Sequence, residues 1–332
     1  MHARLSHILL AVAAVGVFAS PLAAQTQAPA APQVTVGGLV YTQYQYTDAA
    51  VHTNTFDVTR AYVNVLGRFA NGISTRLTTD IIPSVAAPGQ VIRLKYAYVA
   101  WTPAGSSLTY KLGMIHTPHV DFEESLWDYR MQGTIAVDRN GYMTSADIGF
   151  GVDGHWNGEQ VNGQLAIVNG EGYSGGTGDF RKDLEARVSV RLQPTNDATR
   201  VGGLRVTGYA GIGKVTGTGA DRNRYLGLLS YKTQQYTLAG EFVSVKNAAV
   251  TGSIISAFGV YHFTSSKAAV IARVDIVDPD KNVGNNKNTR IIAGASYQLS
   301  PNVRLLADLD RLSFESGVTP TNQILLQTQF TF

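Results

Sequence analysis

The sequence predicts an all-β fold: a transmembrane antiparallel β-barrel of about sixteen strands with short periplasmic turns and long external loops. Three observations carry the prediction. Beyond the N-terminal region, no run of about 18 apolar residues is available for a membrane-spanning helix. From Val34 onward the chain instead falls into segments of roughly ten residues with period-two alternation, the length that crosses a bilayer at a tilt. Finally, the connections alternate between tight turns and longer loops, as expected when one rim of a barrel is trimmed and the other is not.

Near the N-terminus Arg4 is followed by the apolar run "ILLAVAAVGVFA" and then by the small-residue exit "SPLAAQ". This is the charge, apolar middle and exit of a secretory signal, assigned to residues 1–24. "QTQAPAAPQ", residues 25–33, reads as a flexible periplasmic leader, and the barrel occupies 34–332. Composition agrees with an exported strand-and-turn protein, with 34 Gly, 16 Tyr, no Cys and 15% charged residues. With 27 Lys and Arg against 24 Asp and Glu, the chain lacks the basic footprint of a nucleic-acid binder.

The strands are expected near 34–46, 56–69, 73–82, 91–101, 107–115, 147–156, 161–169 and 183–193, then near 201–213, 223–232, 235–245, 253–263, 267–277, 289–299, 302–312 and 323–332. "ANG", "TPAGSS", "NGEQ", "KTQQ", "TSSK" and "SPN" are the tight turns, and "PTNDATR" is somewhat longer. Every other connection is expected to run to about eight residues or more. Phe69, Tyr98, Trp156, Tyr231, Phe263, Tyr297 and Phe332 fall on apolar faces near the tight-turn ends, where a girdle of interfacial aromatics is expected. In the last strand Ile324, Leu326, Phe330 and Phe332 share one face, opposite a glutamine-rich one.

The segments "FDVTRAYVNVLGRFANGISTRL", "KLGMIHTPHVDFEESLWDYR" and "IGFGVDGHWNGEQVNGQLAIVNGEGY" resemble the phosphate-selective porin O and P family, over about Phe56 to Phe332. The shared features are an RA-containing second strand, a K/L-G-x-x-x-x-P approach to a long loop and an N-G-E-G exit. The resemblance implies a bacterial outer-membrane location, a homotrimer, and a third loop, about 116–146, folded into the barrel. It also implies that Phe330 and Phe332 form the end-strand signal read by the barrel assembly machinery. Outer-membrane lipid and small hydrophilic or anionic solutes are the other expected partners.

Function is expected on the water-facing positions. Arg60, Arg68, Arg76, Arg93, Lys95 and Lys111 lie on the wet faces of the first five strands against Asp80, making a basic wall. The long connection after the fifth strand brings Asp121, Glu123, Glu124, Asp128 and Arg130. Asp121 and Glu124 have capping-box spacing, and Phe122, Leu126 and Tyr129 recur on one helical face, so a short helix is expected. An acidic loop facing a basic wall sets a transverse field across a constriction. Later strands mix Arg and Asp or Glu and can neutralise themselves through cross-strand pairs.

These features favour a water-filled channel for passive diffusion of small hydrophilic solutes and ions with a modest anion preference. A phosphate- or oligophosphate-selective channel is the alternative, but no continuous arginine ladder is evident. A barrel enzyme would need a nucleophile beside a base, and no such pair is evident. A non-conducting structural barrel is the third class. "GYAGIGKV" lacks the hydroxyl residue and helix of a nucleotide loop, and "DPDKNVGNNKN" lacks the glycine and final glutamate of a calcium loop. His116, His119 and His155 lack metal-ligand spacing among themselves, and no catalytic residue, metal or cofactor is expected.

Overall fold

The computed structural model describes residues 31–84, 88–175 and 179–332; the signal segment 1–24 and most of the leader lie outside the described residues. Sixteen strands form one closed antiparallel barrel in sequence order. The first eight are β1 (Gln33–Asp48), β2 (Thr53–Arg68), β3 (Ile73–Pro83), β4 (Gln90–Trp101), β5 (Leu108–His116), β6 (Ala146–Trp156), β7 (Val161–Val168) and β8 (Asp183–Gln193). The remainder are β9 (Gly203–Lys214), β10 (Asp221–Lys232), β11 (Tyr236–Asn247), β12 (Val250–His262), β13 (Ala268–Asp278), β14 (Asn288–Ser300), β15 (Val303–Phe314) and β16 (Thr321–Thr331). Each expected strand is present. Closure leaves no strand edge, so the ladder satisfies the backbone groups that a lipid-facing sheet could not otherwise pair.

The seam joins β1 to β16, in register from Leu39↔Thr331 to Asp48↔Asn322. Beyond the last residue of β16, Gly38 and Phe332 exchange backbone hydrogen bonds of 2.9 and 3.2 Å. A Cβ on Gly38 would run into the Phe332 ring, so glycine is what lets the terminal aromatic lie flat across the seam. The same device recurs where Phe69 covers Gly67 and Trp156 covers Gly154.

Alternation in exposure separates an apolar outer face from the lumen. Along β11, Leu238 and Phe242 are exposed, whereas Ala239, Glu241, Val243 and Val245 are buried. The aromatic girdle forms at the tight-turn rim, with one correction. Tyr98 does not face outward: it packs against Ile115, Ala166 and Val168 and meets His116 edge-on at 5.6 Å. The pairing of β3 with β4 slips between Thr78 and Thr79, which leaves Lys95 outside the register. This bulge turns Lys95 and Tyr96 inward together and reverses the phase of everything after them. Trp101, half-exposed, takes the girdle position instead.

The loops also depart from expectation. β11 and β12 are joined by Ala248 and Ala249 alone, with Ala248 at a left-handed φ of 53°. β1 and β2 are joined by residues 49–52. The strands are longer than expected and absorb residues assigned to loops, so the longest connections are 117–145, between β5 and β6, and 169–182, between β7 and β8.

The core of the molecule lies inside the barrel, under the 117–145 loop. That loop, which carries two short helices, α1 (Val120–Glu124) and α2 (Ala136–Arg139), packs Val120, Phe122, Leu126, Trp127, Tyr129, Ile135 and Val137 into one cluster with inner-wall residues including Val243, Ile254, Phe258, Ile271, Ile292 and Leu306. Trp127 is fully buried, 5.3 Å from Phe258 in an edge-on ring contact. The inner wall of β10–β15 is therefore partly apolar and covered by the loop, while β1–β4 and β16 keep a polar inner face.

Candidate functional site

A cavity of about 650 Å³ runs between the polar half of the wall and the second half of the loop. Its wall side carries Gln43, Gln45, Arg60, Arg93, Arg290, Asp310 and Gln323; its loop side carries Arg130, Gln132, Asp138 and Arg139. Five guanidinium groups thus line it with two carboxyl groups.

Each basic-wall residue has a definite setting. Asp80, fully buried, receives the Arg93 Nε at 2.9 Å and lies 3.6 Å from the Arg60 Nε, so two guanidiniums share one carboxylate. Arg93 also donates to the hydroxyls of Tyr173 and Ser174, both at 2.7 Å. Arg76 donates to Asn64 and Thr78, lies 3.0 Å from the His116 ring nitrogen and stacks over Tyr96. Lys95 is buried between the rings of Tyr62 and Tyr96, and Lys111 is paired with Asp153. Arg68 is exposed at the end of β2. Arg60 and Arg93 line the cavity and Arg76, Lys95, Lys111 and Arg68 do not. A neutral ladder, Gln327 to Gln43 to Gln45 to Thr47, continues the polar wall across the seam.

The loop acids divide. Asp121 pairs with Arg200 at 2.6 Å. Burial opposes its charge, but His116, Arg200 and Lys111 outweigh this and hold its carboxyl below the usual range. Glu124 pairs with Arg130 at 2.7 Å. Glu123 and Asp128 do not face the basic wall: Glu123 turns toward β11, and Asp128 binds Arg304 of β15 at 3.0 Å. The helix places successive side chains about 100° apart, so a run of acids cannot share one face. The capping box is likewise absent; His119 occupies the N-cap position without a side-chain cap, and Asp121 lies within the helix.

Asp138 was not singled out from the sequence, yet it faces the cavity, with burial raising its carboxyl and Arg130, Lys95 and Arg60 opposing. Its signal lay in adjacency, because Asp138 and Arg139 directly follow the run "TIAV" and complete the short helix α2. Arg130 has the reverse balance: burial disfavours its charge, while Glu124, Tyr62 and Asp138 raise its pKa above the ordinary value. Arg139 is depressed by burial and by Arg273 and Arg290, with Asp310 offsetting. The inner field is therefore set by arginines from both loop and wall, with acids interleaved, rather than by an acidic loop opposite a basic wall.

The loop is tied to the far wall by Tyr129 to Ser296 at 2.7 Å, Arg273 to the Thr134 carbonyl at 2.9 Å, and Gln327 to the Met131 carbonyl at 2.8 Å.

No family model and no curated sequence matches the chain, so the resemblance to the phosphate-selective porins rests on its motifs. Solved structures do match. The chain is similar to an anion-selective porin from Comamonas acidovorans, with a TM-score of 0.67 at 13% identity over 91% of this chain and 100% of that one. It is similar to OmpF of Salmonella typhi, at 0.63 and 13% over 90% and 97%. It is also similar to the outer-membrane channel DcaP of Acinetobacter baumannii, at 0.61 and 11% over 91% and 98%. The chain has the sixteen-stranded barrel fold that these outer-membrane channels share.

Proposed function

We propose that the protein is a bacterial outer-membrane porin: a water-filled channel for passive diffusion of small hydrophilic solutes and ions, with a modest preference for anions. The observation that carries this reading is the cavity between loop and polar wall, where five arginines meet two aspartates. Charges in open water are screened over about 8 Å at physiological salt, so only groups lining a narrow passage discriminate ions strongly. The similarity to an anion-selective porin adds support. Export by the 1–24 segment, insertion by the barrel assembly machinery with Phe330 and Phe332 as end-strand signal, and assembly as a homotrimer in outer-membrane lipid belong to the same proposal.

Selective capture of phosphate or oligophosphate is less well supported. Arg60 and Arg93 share Asp80, Arg290 binds Asp310 at 2.7 Å, and Arg130 binds Glu124, so the arginines are not a free ladder.

The test is single-channel recording of the purified protein in a salt gradient. A conducting pore whose reversal potential favours chloride supports the proposal. A barrel that inserts without conducting overturns it, and block of chloride current by micromolar phosphate replaces it with the selective alternative.

A further inference from the structure

His119, Glu123 and Glu241 meet where the loop docks on β11, away from the cavity described above. Their ligand atoms all lie within 4.8 Å of one another. His119 Nε2 is 2.8 Å from Glu123 Oε2 and 3.6 Å from Glu241 Oε2. All three side chains are essentially removed from solvent, at 0, 1 and 1% exposure. Among the described residues neither glutamate has any other ion pair, and both oxygens of Glu241, Oε1 of Glu123 and Nδ1 of His119 lack a hydrogen-bond partner. Arg187, close by, donates instead to the Pro118 carbonyl and to Asn162, both at 2.8 Å.

Two buried carboxylates beside one imidazole, with bare oxygens aimed at each other, are costly unless something positive lies among them. We propose that these three residues form a divalent-metal site, suited to zinc, that staples the inward loop to the barrel wall. The donor set is one imidazole nitrogen and two carboxylate oxygens, which suits zinc and related transition ions better than calcium or magnesium. Tetrahedral ligands at zinc stand roughly 3.3 Å apart, which the observed 2.8 and 3.6 Å bracket. His119 and Glu123 are one helical turn apart on α1 and so reach the ion from one side; Glu241 reaches it from the wall. A 2+ ion balances the two carboxylates, and water would complete a fourth position.

The sequence reading missed this because it compared histidines with one another. The spacing H-x-x-x-E supplies two ligands, and only the barrel's closure brings up the third. The proposal does not depend on conduction.

The experiment is metal uptake by the chelator-treated, folded barrel, with zinc chloride as the probe. One zinc bound per chain at micromolar concentration, with affinity falling roughly tenfold or more in both His119→Gln and Glu241→Gln but not in Asp128→Asn, supports the site. X-ray absorption of the loaded wild type should show a four-coordinate shell holding a single imidazole among oxygen ligands, and a shell with no imidazole or with two or more would place the ion elsewhere and overturn the site, which keeps the test decisive if either ligand variant fails to fold. Absence of stoichiometric uptake by folded wild type overturns the proposal, as does uptake that survives both ligand substitutions.

Discussion

At the scale of single residues, the basic wall sorts into groups that face the cavity and groups that are occupied elsewhere. Replacing Arg93 by Gln removes a cavity charge and leaves Asp80 with Arg60 alone, so both changes move the passage toward cations. Arg76 is held by Asn64, Thr78 and Tyr96 outside the cavity lining. We therefore expect Arg93→Gln to shift the reversal potential toward cations clearly more than Arg76→Gln, with both shifts shrinking as salt is raised. Equal shifts would place the constriction elsewhere. Asp138→Asn should shift it the opposite way.

Asp121 supplies the pH prediction. Its carboxyl is held below the usual range, so the Asp121–Arg200 contact is present above the ordinary carboxylate value and is lost only when pH falls through the depressed one. In metal-free protein, lowering pH to about 4, near the unperturbed Asp value, should leave the Asp121–Arg200 contact and the current noise that depends on it unchanged. Asp121→Asn at neutral pH should raise it.

At the scale of elements, the bulge in β4 shows what alternation can and cannot give. Ile92 and Leu94 face outward at even positions, Val99 and Trp101 at odd ones. That change of phase is written in the sequence, but it becomes a bulge only when β3 pairs alongside. Tyr98 was misplaced for that reason. The loop was legible as an inward, helix-bearing segment through the porin resemblance and through Phe122, Leu126 and Tyr129, but the directions of its acids were not. Those depend on where the helix sits against Arg200, Arg304 and Glu241, partners far away in the chain. The loop's anchorage rests largely on Trp127. Trp127→Ala should cost about 3–5 kcal/mol of packing at that site, read as a lower thermal midpoint and noisier open-channel current. A thermally silent substitution would mean that the loop is held chiefly by its polar ties.

At the scale of the whole molecule, strand number and order were legible because every segment of a closed barrel had to present an apolar face outward and its other face to the interior. Loop lengths were less so, because nothing in an alternating stretch says where the bilayer ends. The closed barrel should resist denaturation in detergent until boiled, and its gel mobility should change on boiling. Deleting Phe332 should sharply lower the yield of folded barrel by removing the Gly38 backbone pair and the ring that covers it, while molecules that do assemble conduct normally. Normal yield with altered selectivity would contradict that role.

The division of the interior into a polar and an apolar half bears on how the protein could be re-engineered. A larger nanopore would ordinarily be sought by excising the obstructing segment around residues 120–140. Here that excision strips the cover from Val243, Ile254, Phe258, Ile271 and Ile292, leaving a concave surface that water wets poorly. Hydrophobic constrictions close by dewetting, so the emptied half would tend to fill with vapour or detergent tails rather than electrolyte. Enlarging this conduit requires rewriting the exposed wall with hydrophilic side chains at the same time as the segment is removed.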